Sequence, residues 1–406
     1  MLVIYGLMHL FKREEIMPLS IEQRLISILP GIKQLRQQLH ASPELSFRET
    51  ETVKIIKSAL SSFGVEVVSN IGKTGLVTVL DTGRPGHIIG FRADFDALSI
   101  SEKNTFQYKS TNEGVMHACG HDGHTAILVC LAGVLTSIKE SLSGKMIFIF
   151  QPAEESGEGA KAMLKDGILK KYPMDAIYAL HNFPKFPAGR VATKSHCILA
   201  GMDAFEVTVR GNGGHASIPE RCVNPITVAS IFQEIVRKSV GSADIDDSMC
   251  SINFTEIRSL SGESINVIPD LLILKGITRF SSEVSQSSLR HVLTDAAAIV
   301  SQNNDSVINV TYHHSCPISV NAPDPTRKLI DAVQYAQGED SITVLENPLA
   351  AFDDFAYFLD AVPGCYFLIG NGVDSAMVHT ANYDFNDDII LPAVNVLAHV
   401  VLSYQP

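Results

Sequence analysis

Residues 116–132 read MHACGHDGHTAILVCLA and join a dense cluster of polar donors to a long apolar run. The polar half carries one thiol, one carboxylate and three imidazoles, and the apolar half predicts a buried helix. These donors would lie at the helix N-terminus, where the helix dipole favours a thiolate over a thiol. Cys119 and His121 suit metal ligation, because a Cys-x-His pair can point both side chains into one small space from a tight turn. The alternative is a histidine-rich surface turn, which so high a density of donors disfavours.

Apolar strands alternate with helices on both sides of this segment. We predict a broken helical stretch over 21–60 and strands over 88–91, 146–150 and 176–180, the last ending at His181. Strands separated by helices indicate an α/β fold, in which a mixed, mostly parallel sheet carries helices on both faces.

Polar side chains follow the ends of these predicted strands or begin the helix after them. They are Asp94 and Asp96, Cys119 and His121, Glu154 and Glu155, and His181. The carboxyl ends of parallel strands share one edge of a sheet, and active sites of open α/β folds assemble at that edge. Four polar clusters at one edge therefore predict a functional site there.

The pattern changes over residues 201–312, which we interpret as an inserted satellite domain. Its predicted order of elements, βαββαβ, matches a ferredoxin-like unit. The α/β pattern resumes afterwards with a strand over 366–369 and a loop carrying His379. The metal-binding catalytic domain would then comprise 17–200 and 313–406, and residues 1–16 would be a poorly ordered N-terminal extension.

Composition excludes several classes of protein. The 406 residues are 46% hydrophobic, and the net charge of −12 argues against non-specific binding to nucleic acid. No apolar run approaches the ~18 residues of a membrane helix. Seven cysteines, an odd number scattered over a long chain, do not suggest a disulfide framework, so we expect a reducing compartment, the cytoplasm.

Several motifs occur in an order that resembles one family of enzymes. They are RADFDAL at 92–98, the segment at 116–124, QPAEE at 151–155 and GGHAS at 213–217. With these, the chain resembles the aminoacylase and carboxypeptidase-type metallopeptidases over nearly its whole length. It is most similar to their amidohydrolase branch, which includes hippurate hydrolases, N-acyl-amino-acid amidohydrolases and plant auxin-conjugate hydrolases.

The resemblance implies a centre of two divalent metal ions in each subunit. Its ligands would be Cys119, which bridges the two ions, with His121, Glu155, His181 and His379. A thiolate, imidazoles and a carboxylate suit Zn, Mn, Co or Ni better than Mg or Ca. His117 and His124 would support the ligands or pack beside them.

The resemblance also implies roles in catalysis for residues around the metals. Glu154 would be the general base, since adjacent side chains point in different directions and Glu155 is the ligand. Asp96 would steady a ligand or the base, while Asp94 would be structural. Asp122 could orient a ligand or cap the helix that begins beside it, and capping is the favoured role.

Three residues of the inserted domain would act on the substrate. The resemblance implies that His215 donates to the oxyanion, commonly from a dimer partner, so we expect a homodimer. Asn266 and Arg279 would hold the carboxylate of an N-acyl amino acid, a task that suits the planar fork of donors on arginine. For His215 and Arg279, the alternative is an ordinary surface residue.

Two departures from the family pattern bear on the substrate, and other activities stay open. Asp353 stands where glutamate is usual and Ser99 where proline is common, and both are expected near the pocket wall. A dipeptidase or carboxypeptidase of the same fold would use the same metals. A cysteine hydrolase with Cys119 activated by His121 would leave the other donors without a purpose. A non-catalytic, metal-retaining binding protein would not need Glu154.

Overall fold

The computed structural model describes residues 20–242, 249–260 and 264–406, so the predicted N-terminal extension lies outside the described residues. The strands are β1 (Val67–Ile71), β2 (Gly75–Asp81), β3 (Ile88–Asp94), β4 (Lys145–Gln151), β5 (Ala176–Pro184), β6 (Val191–Thr193), β7 (His196–Leu199), β8 (Gly201–Arg210), β9 (Gly214–His215), β10 (Ser251–Ser259), β11 (Val267–Ile268), β12 (Leu271–Phe280), β13 (Val307–Cys316), β14 (Ser319–Asn321), β15 (Ile342–Val344) and β16 (Gly364–Gly372).

The α-helices alternate with these strands and cover the sheets. They are α1 (Ile21–Ala41), α2 (Thr50–Ser62), α3 (His121–Ser137), α4 (Gly159–Lys165), α5 (Ile168–Lys171), α6 (Pro225–Ser242), α7 (Glu283–Asn304), α8 (Pro323–Gln337), α9 (Ala356–Leu359) and α10 (Ile390–Leu402). None of the helices in the described part of the chain is long and apolar enough to cross a bilayer.

An eight-stranded mixed sheet forms the centre of the larger part of the molecule. Its order is β1-β2-β4-β3-β5-β16-β6-β15, and the four strands β4, β3, β5 and β16 run parallel. Antiparallel pairs join β1 to β2, β2 to β4 and β16 to β6. Each face packs a separate apolar core, one with α1, α3, α8 and α10 and the other with α4 and α9. The predicted mixed sheet with helices on both faces is therefore confirmed.

Helix α3 lies in the centre of the first core because its residues 121–135 are all buried. Gly120 precedes it with a φ of 100°, a conformation that favours glycine. A Cβ at Gly120 would also lie 2.5 Å from Asn182 Nδ2 and 2.6 Å from the Tyr383 hydroxyl. The turn between Cys119 and His121 therefore requires glycine.

A second sheet of four antiparallel strands has the order β10-β12-β8-β13. Helices α6 and α7 pack on one face of it, against Phe205, Val207 and Val209 of β8. The opposite face, which carries the alternate residues of β8 from Met202 onward, is not covered by these helices.

The main difference from the sequence-based strands lies at β5. We predicted that this strand ends at His181, but it continues to Pro184 and pairs His181 with Leu368 of β16. Pairing with a parallel neighbour extends the strand past the polar residue. The strands β1, β2, β6 and β15 were not predicted. Strands β1 and β15 form the two edges of the sheet and are partly exposed, and β6 has only three residues, whereas β2 was missed although it is an internal and mostly buried strand.

Candidate metal centre

The predicted polar clusters meet at the carboxyl edge of the parallel strands. Asp94 is the last residue of β3, Glu154 and Glu155 follow β4, and His181 lies near the end of β5. Cys119 directly precedes the turn into α3, and His379 lies in the loop after β16. The structure thus brings together residues from five segments that are far apart in sequence.

The five predicted ligands form two triads that share Cys119. The ligand atoms of Cys119, His121 and His181 lie within 4.8 Å of one another, and so do those of Cys119, Glu155 and His379. Cys119 Sγ is 3.3 Å from His181 Nε2, and Glu155 Oε1 is 3.4 Å from His379 Nε2. This geometry has two neighbouring positions for a cation, with the thiol beside both.

Two of these donors are buried and make no hydrogen bond. They are His121 Nε2 and Glu155 Oε1, which lie 3.9 Å apart. A buried polar atom without a partner is costly unless a ligand satisfies it. The residues present therefore fit a pair of soft to borderline divalent cations.

The backbone around the donors is held in conformations that are uncommon for side-chain-bearing residues. His379 has a φ of 62° and Ala153, which precedes Glu154, has a φ of 54°. The His379 amide donates to the carbonyl of Ala118 at 2.7 Å, which ties the His379 loop to the Cys119 segment. Backbone strain of this kind concentrates at functional sites.

The pKa of Cys119 differs from the expectation based on the helix N-terminus. Burial raises the pKa of this thiol well above its usual value, and the nearby Glu155 adds to that effect while His121 opposes it. A thiolate at this position therefore needs a cation next to it. This result disfavours the alternative in which Cys119 acts as a free nucleophile.

Asp96 connects three parts of the site through its carboxylate. Its Oδ1 accepts hydrogen bonds from the Glu154 amide at 3.1 Å and from His121 Nδ1 at 3.2 Å. Its Oδ2 accepts from the Glu155 amide at 3.1 Å and from Ser46 Oγ at 2.7 Å. The His121 contact leaves Nε2 as the atom that faces the other donors.

Glu154 lies beside a buried group of charges that the sequence did not reveal. Arg92 is fully enclosed and contacts Asp94 Oδ2 at 2.6 Å, Asp353 Oδ1 at 3.0 Å and Asp354 Oδ1 at 3.0 Å. Burial, together with the charges of Asp353 and Glu155, raises the pKa of Glu154 well above its ordinary value. A carboxyl with a raised pKa is suited to hold and release a proton near neutral pH.

Asp353 lies deeper than we expected from the sequence. It is 1% exposed and paired with Arg92, so it supports the floor of the site and does not form the pocket wall. Ser99 is exposed, and the residues that line the cavity at the metal centre do not include it. Asp353 directly follows Phe352, which lines the cavity, so it lies near the pocket wall without forming it, whereas Ser99 is not among the lining residues.

The other histidines of the 116–124 segment have separate surroundings. His124 Nδ1 donates to Asp94 at 2.7 Å and Nε2 accepts from the Asn182 amide at 3.0 Å, so both nitrogens are occupied. His117 is buried without a hydrogen-bond partner, and burial lowers its pKa to about 4. Both residues pack behind the donor atoms.

Asp122 does not cap helix α3, contrary to our expectation. It lies in the first turn, and its carboxylate contacts His40 Nδ1 at 2.8 Å and Arg36 Nη1 at 3.6 Å. Arg36 also contacts Asp384 at 2.9 Å, so this buried network links α1, α3 and the segment after His379. Because Asp122 is buried beside His40 and Arg36, its carboxylate pairs with these two side chains and does not cap the helix.

The three residues predicted to act on the substrate lie in two places. His215 ends β9 and Asn266 directly precedes β11, its antiparallel partner; both side chains are exposed, and the Ala216 amide donates to the Asn266 carbonyl at 2.9 Å. The cavity at the metal centre is not lined by His215 of the same chain. Arg279 is half-buried on β12, and its Nη1 is buried without a hydrogen bond.

A cavity of about 280 Å³ opens over the donor atoms. One side consists of Cys119, Glu154, Glu155, His181 and His379. The other consists of Met202, His314, Cys316 and Phe352, none of which we predicted. In the sequence these four residues lie near the start of β8, near the end of β13 and directly before Asp353. No local pattern marks any of these positions as part of a site.

Comparison with known proteins agrees with this site. Residues 90–403 match the model of peptidase family M20/M25/M40. Hippurate hydrolase of Campylobacter jejuni is 32% identical over 381 residues, which cover 94% of this chain and 98% of that protein. N-acetyl-L-cysteine deacetylase of Bacillus subtilis is 35% identical over 368 residues, covering 89% and 84% respectively.

A solved structure has the same fold. It is the Bacillus subtilis YXEP protein, described as a dinuclear metal binding peptidase from the M20 family. It superposes with a TM-score of 0.79 at 26% identity, over 93% of this chain and 99% of that one. The resemblance stated from the motifs is confirmed, and the chain belongs to peptidase family M20/M25/M40 as a hydrolase similar to its amidohydrolases.

Proposed function

We propose that this chain hydrolyses the amide bond of N-acyl amino acids with two divalent metal ions and Glu154 as general base. The observation that carries the proposal is the pair of donor triads sharing Cys119, with Glu154 beside them. The relatives named for hippurate and N-acetyl-cysteine hydrolysis support this class of substrate.

The metal ligands would be Cys119, His121 and His181 for one ion and Cys119, Glu155 and His379 for the other. Zn, Mn, Co or Ni suits this donor set. When bound, such ions lower the pKa of water towards ~7 and polarise a carbonyl group. His121 would be held in the correct tautomer by its contact with Asp96.

Glu154 would move the proton in both halves of the reaction. It would take a proton from the attacking water and deliver it to the leaving nitrogen, which avoids expelling an amide anion. Its position beside both donor triads supports this role, because a carboxyl there can reach the water and the leaving nitrogen. Arg279 would hold the substrate carboxylate, since its buried Nη1 makes no hydrogen bond to any of the described residues, and Asn266 would assist.

The replacement Glu154→Gln tests the assignment. It removes the proton acceptor but keeps the shape, so we expect hydrolysis of N-acetyl-methionine and hippurate to fall about 10²–10⁴-fold. Metal content, measured by mass spectrometry, should not change. Glu158→Gln, an exposed glutamate four residues away, is the matched control and should keep full activity.

Chelation separates this function from the alternatives. Activity lost in EDTA and restored by Mn or Zn agrees with metal-dependent hydrolysis, whereas EDTA-resistant activity that depends on Cys119 would favour a cysteine hydrolase. A metal-loaded protein that binds N-acyl amino acids without cleaving them would indicate a binding protein. Near wild-type turnover by Glu154→Gln would refute the role of Glu154.

The inserted domain is part of the same proposal. We propose that residues 201–312 form a ferredoxin-like unit between two halves of a catalytic domain, residues 17–200 and 313–406. The strand order β10-β12-β8-β13 with both helices on one face supports this division. We also propose a cytoplasmic location, because the buried thiols Cys130, Cys316 and Cys365 form no disulfide.

We further propose that His215 acts on the site of the other subunit in a homodimer. Its Nδ1 lies 3.2 Å from the Ser217 amide, which donates to it, so Nε2 can carry the proton that an oxyanion needs. Its absence from the cavity of its own chain supports a contribution between subunits.

Mixing two inactive variants tests this arrangement. Subunits with Glu154→Gln and subunits with His215→Ala should each be nearly inactive. After denaturation and joint refolding, about a quarter of wild-type activity should return, because half of the dimers would have one intact site. A mixture that stays inactive although mixed dimers form would contradict the proposal.

A further inference from the structure

We propose that one wall of the cavity selects the side chain of the amino-acid half of the substrate. This wall, formed by Met202, Cys316 and Phe352 with the His314 ring 3.0 Å from Cys316 Sγ, favours uncharged apolar side chains over glycine and over acidic ones. The proposal rests on the proposed function, because it concerns the amino acid released by amide hydrolysis.

Strand register places the wall next to Arg279. Met202 on β8 is directly opposite Arg279 on β12 and Cys316 on β13. Directly opposed residues of antiparallel strands extend their side chains from the same face of the sheet. Arg279, Met202 and Cys316 therefore form one row across three strands.

This row lies on the face that α6 and α7 leave uncovered. Side chains alternate along a strand, and Phe205, Val207 and Val209 point to the helices. Met202 must then point to the opposite face, where it lines the cavity over the metal centre. The uncovered face of the second sheet thus forms one side of the reaction cavity.

Phe352 closes one end of the cavity. A Cβ placed on Gly157 would lie 3.3 Å from His314 Nε2 and 3.5 Å from Phe352 Cε1. The backbone at Gly157, the imidazole and the phenyl ring are therefore nearly in contact. With a volume of about 280 Å³, the cavity has room for a compact side chain beside the amide but not for an open channel.

The chemistry of the wall defines the side chains that it can accept. A substrate carboxylate held by Arg279 would place its α-carbon next to Met202, the neighbour of Arg279 in the row, with Cys316 on the far side of Met202. A thioether, a phenyl ring and a thiol whose pKa is raised to about 12 by burial carry no charge near neutral pH. An acidic side chain packed against Met202 and Phe352 would lose hydration without gaining a cationic partner from either residue.

Substrates that share one acyl group and differ only in the amino acid show how the amino-acid half affects kcat/KM. We expect the wild-type, metal-loaded protein to hydrolyse N-acetyl-methionine and N-acetyl-leucine with a kcat/KM about 10–200-fold above that of N-acetyl-glycine, the range for small apolar groups in a pocket. N-acetyl-aspartate should be cleaved less efficiently than N-acetyl-glycine.

Two variants test the wall directly. Phe352→Ala and Met202→Ala should each lower the methionine-to-glycine ratio of kcat/KM about tenfold. Tyr335→Ala removes an 81% exposed ring on α8 and should not change this ratio. Free methionine should inhibit the wild type more strongly than glycine does, and each variant should lose that difference.

The outcomes separate this proposal from the proposed function. Two results would overturn the selecting wall but not the proposed hydrolase activity. One is cleavage of all conjugates without a preference for apolar side chains. The other is an equal loss of kcat/KM on every conjugate in a variant whose Tm is unchanged. If the metal-loaded wild type cleaves none of them, the proposed function fails and the wall fails with it.

Discussion

Replacing Asp96 with Asn tests whether a single carboxylate sets the geometry of the metal centre. Both carboxylate oxygens accept a backbone amide, Oδ1 from Glu154 and Oδ2 from Glu155, each at 3.1 Å. Oδ1 also accepts from His121 Nδ1, and Oδ2 from Ser46 Oγ. An Asn side chain keeps this shape but has only one accepting oxygen.

The expected magnitude follows from these contacts. Whichever way the Asn amide is turned, its NH₂ group faces the backbone N–H of Glu154 or Glu155, and that N–H loses its acceptor. A hydrogen bond to a charged group contributes about 1.5–3 kcal/mol, so the free energy of unfolding should fall by about that amount. His121 Nδ1 also lies 3.0 Å from the Asp96 carbonyl oxygen, which the substitution keeps, so loss of the anionic partner should lower metal affinity or activity by no more than about 10–100-fold.

The assay combines metal titration, turnover and urea unfolding of the same preparations. Asp166→Asn is the matched control, because its carboxylate accepts one backbone amide, from Gly72 at 2.7 Å, away from the centre. The control should lose some stability but keep its metal affinity and kcat. If Asp96→Asn binds metal and turns over like the wild type, Asp96 does not position His121 and the Glu154–Glu155 turn.

Two further predictions concern buried charges. Arg92→Met should lower the free energy of unfolding in urea by about 3–5 kcal/mol, since it leaves Asp94, Asp353 and Asp354 without their cation; a loss below about 1 kcal/mol would contradict the pairing. Burial alone would lower the pKa of His40, but its hydrogen bonds to Asp122 and Glu102 raise it from 6.5 to about 9. The folded state then keeps a proton that the unfolded state releases, so this contribution is complete below pH 6.5 and is lost as the pH rises through about 9. His40→Gln should flatten the fall of unfolding free energy over that range, and an unchanged slope would show that His40 is neutral.

The edge of the sheet and its donors could be predicted from the sequence because each depends on local signals. A short apolar strand followed by a polar cluster indicates where a parallel strand ends, as at Asp94 and Glu154. The Gly120 turn before an apolar run likewise indicates where α3 begins. Each of these patterns can be recognised from a few neighbouring residues of the sequence.

The buried ion pairs next to the donor atoms could not be predicted, because they join residues that come into contact only in the folded chain. Arg92 and Asp354 are 262 positions apart, yet their side chains are 3.0 Å apart. Asp122 lies at the start of a helix, where the sequence alone predicts a capping residue. Only the positions of Arg36 and His40 in the folded chain show that it forms ion pairs. The cavity wall is similar, since Met202 and Cys316 become neighbours through strand register alone.

The charge balance at this edge explains why bound cations would be structural as well as catalytic. Six carboxylates lie around the site, namely Asp94, Asp96, Glu154, Glu155, Asp353 and Asp354, and Arg92 is the cation paired with three of them. Without further cations the centre limits its charge by retaining protons. Burial and like charges raise the pKa of Glu154 and bring that of Asp354 to about 7. Divalent ions at the two triads would remove the need for those protons, so metal binding, proton release and stability of this edge should be coupled.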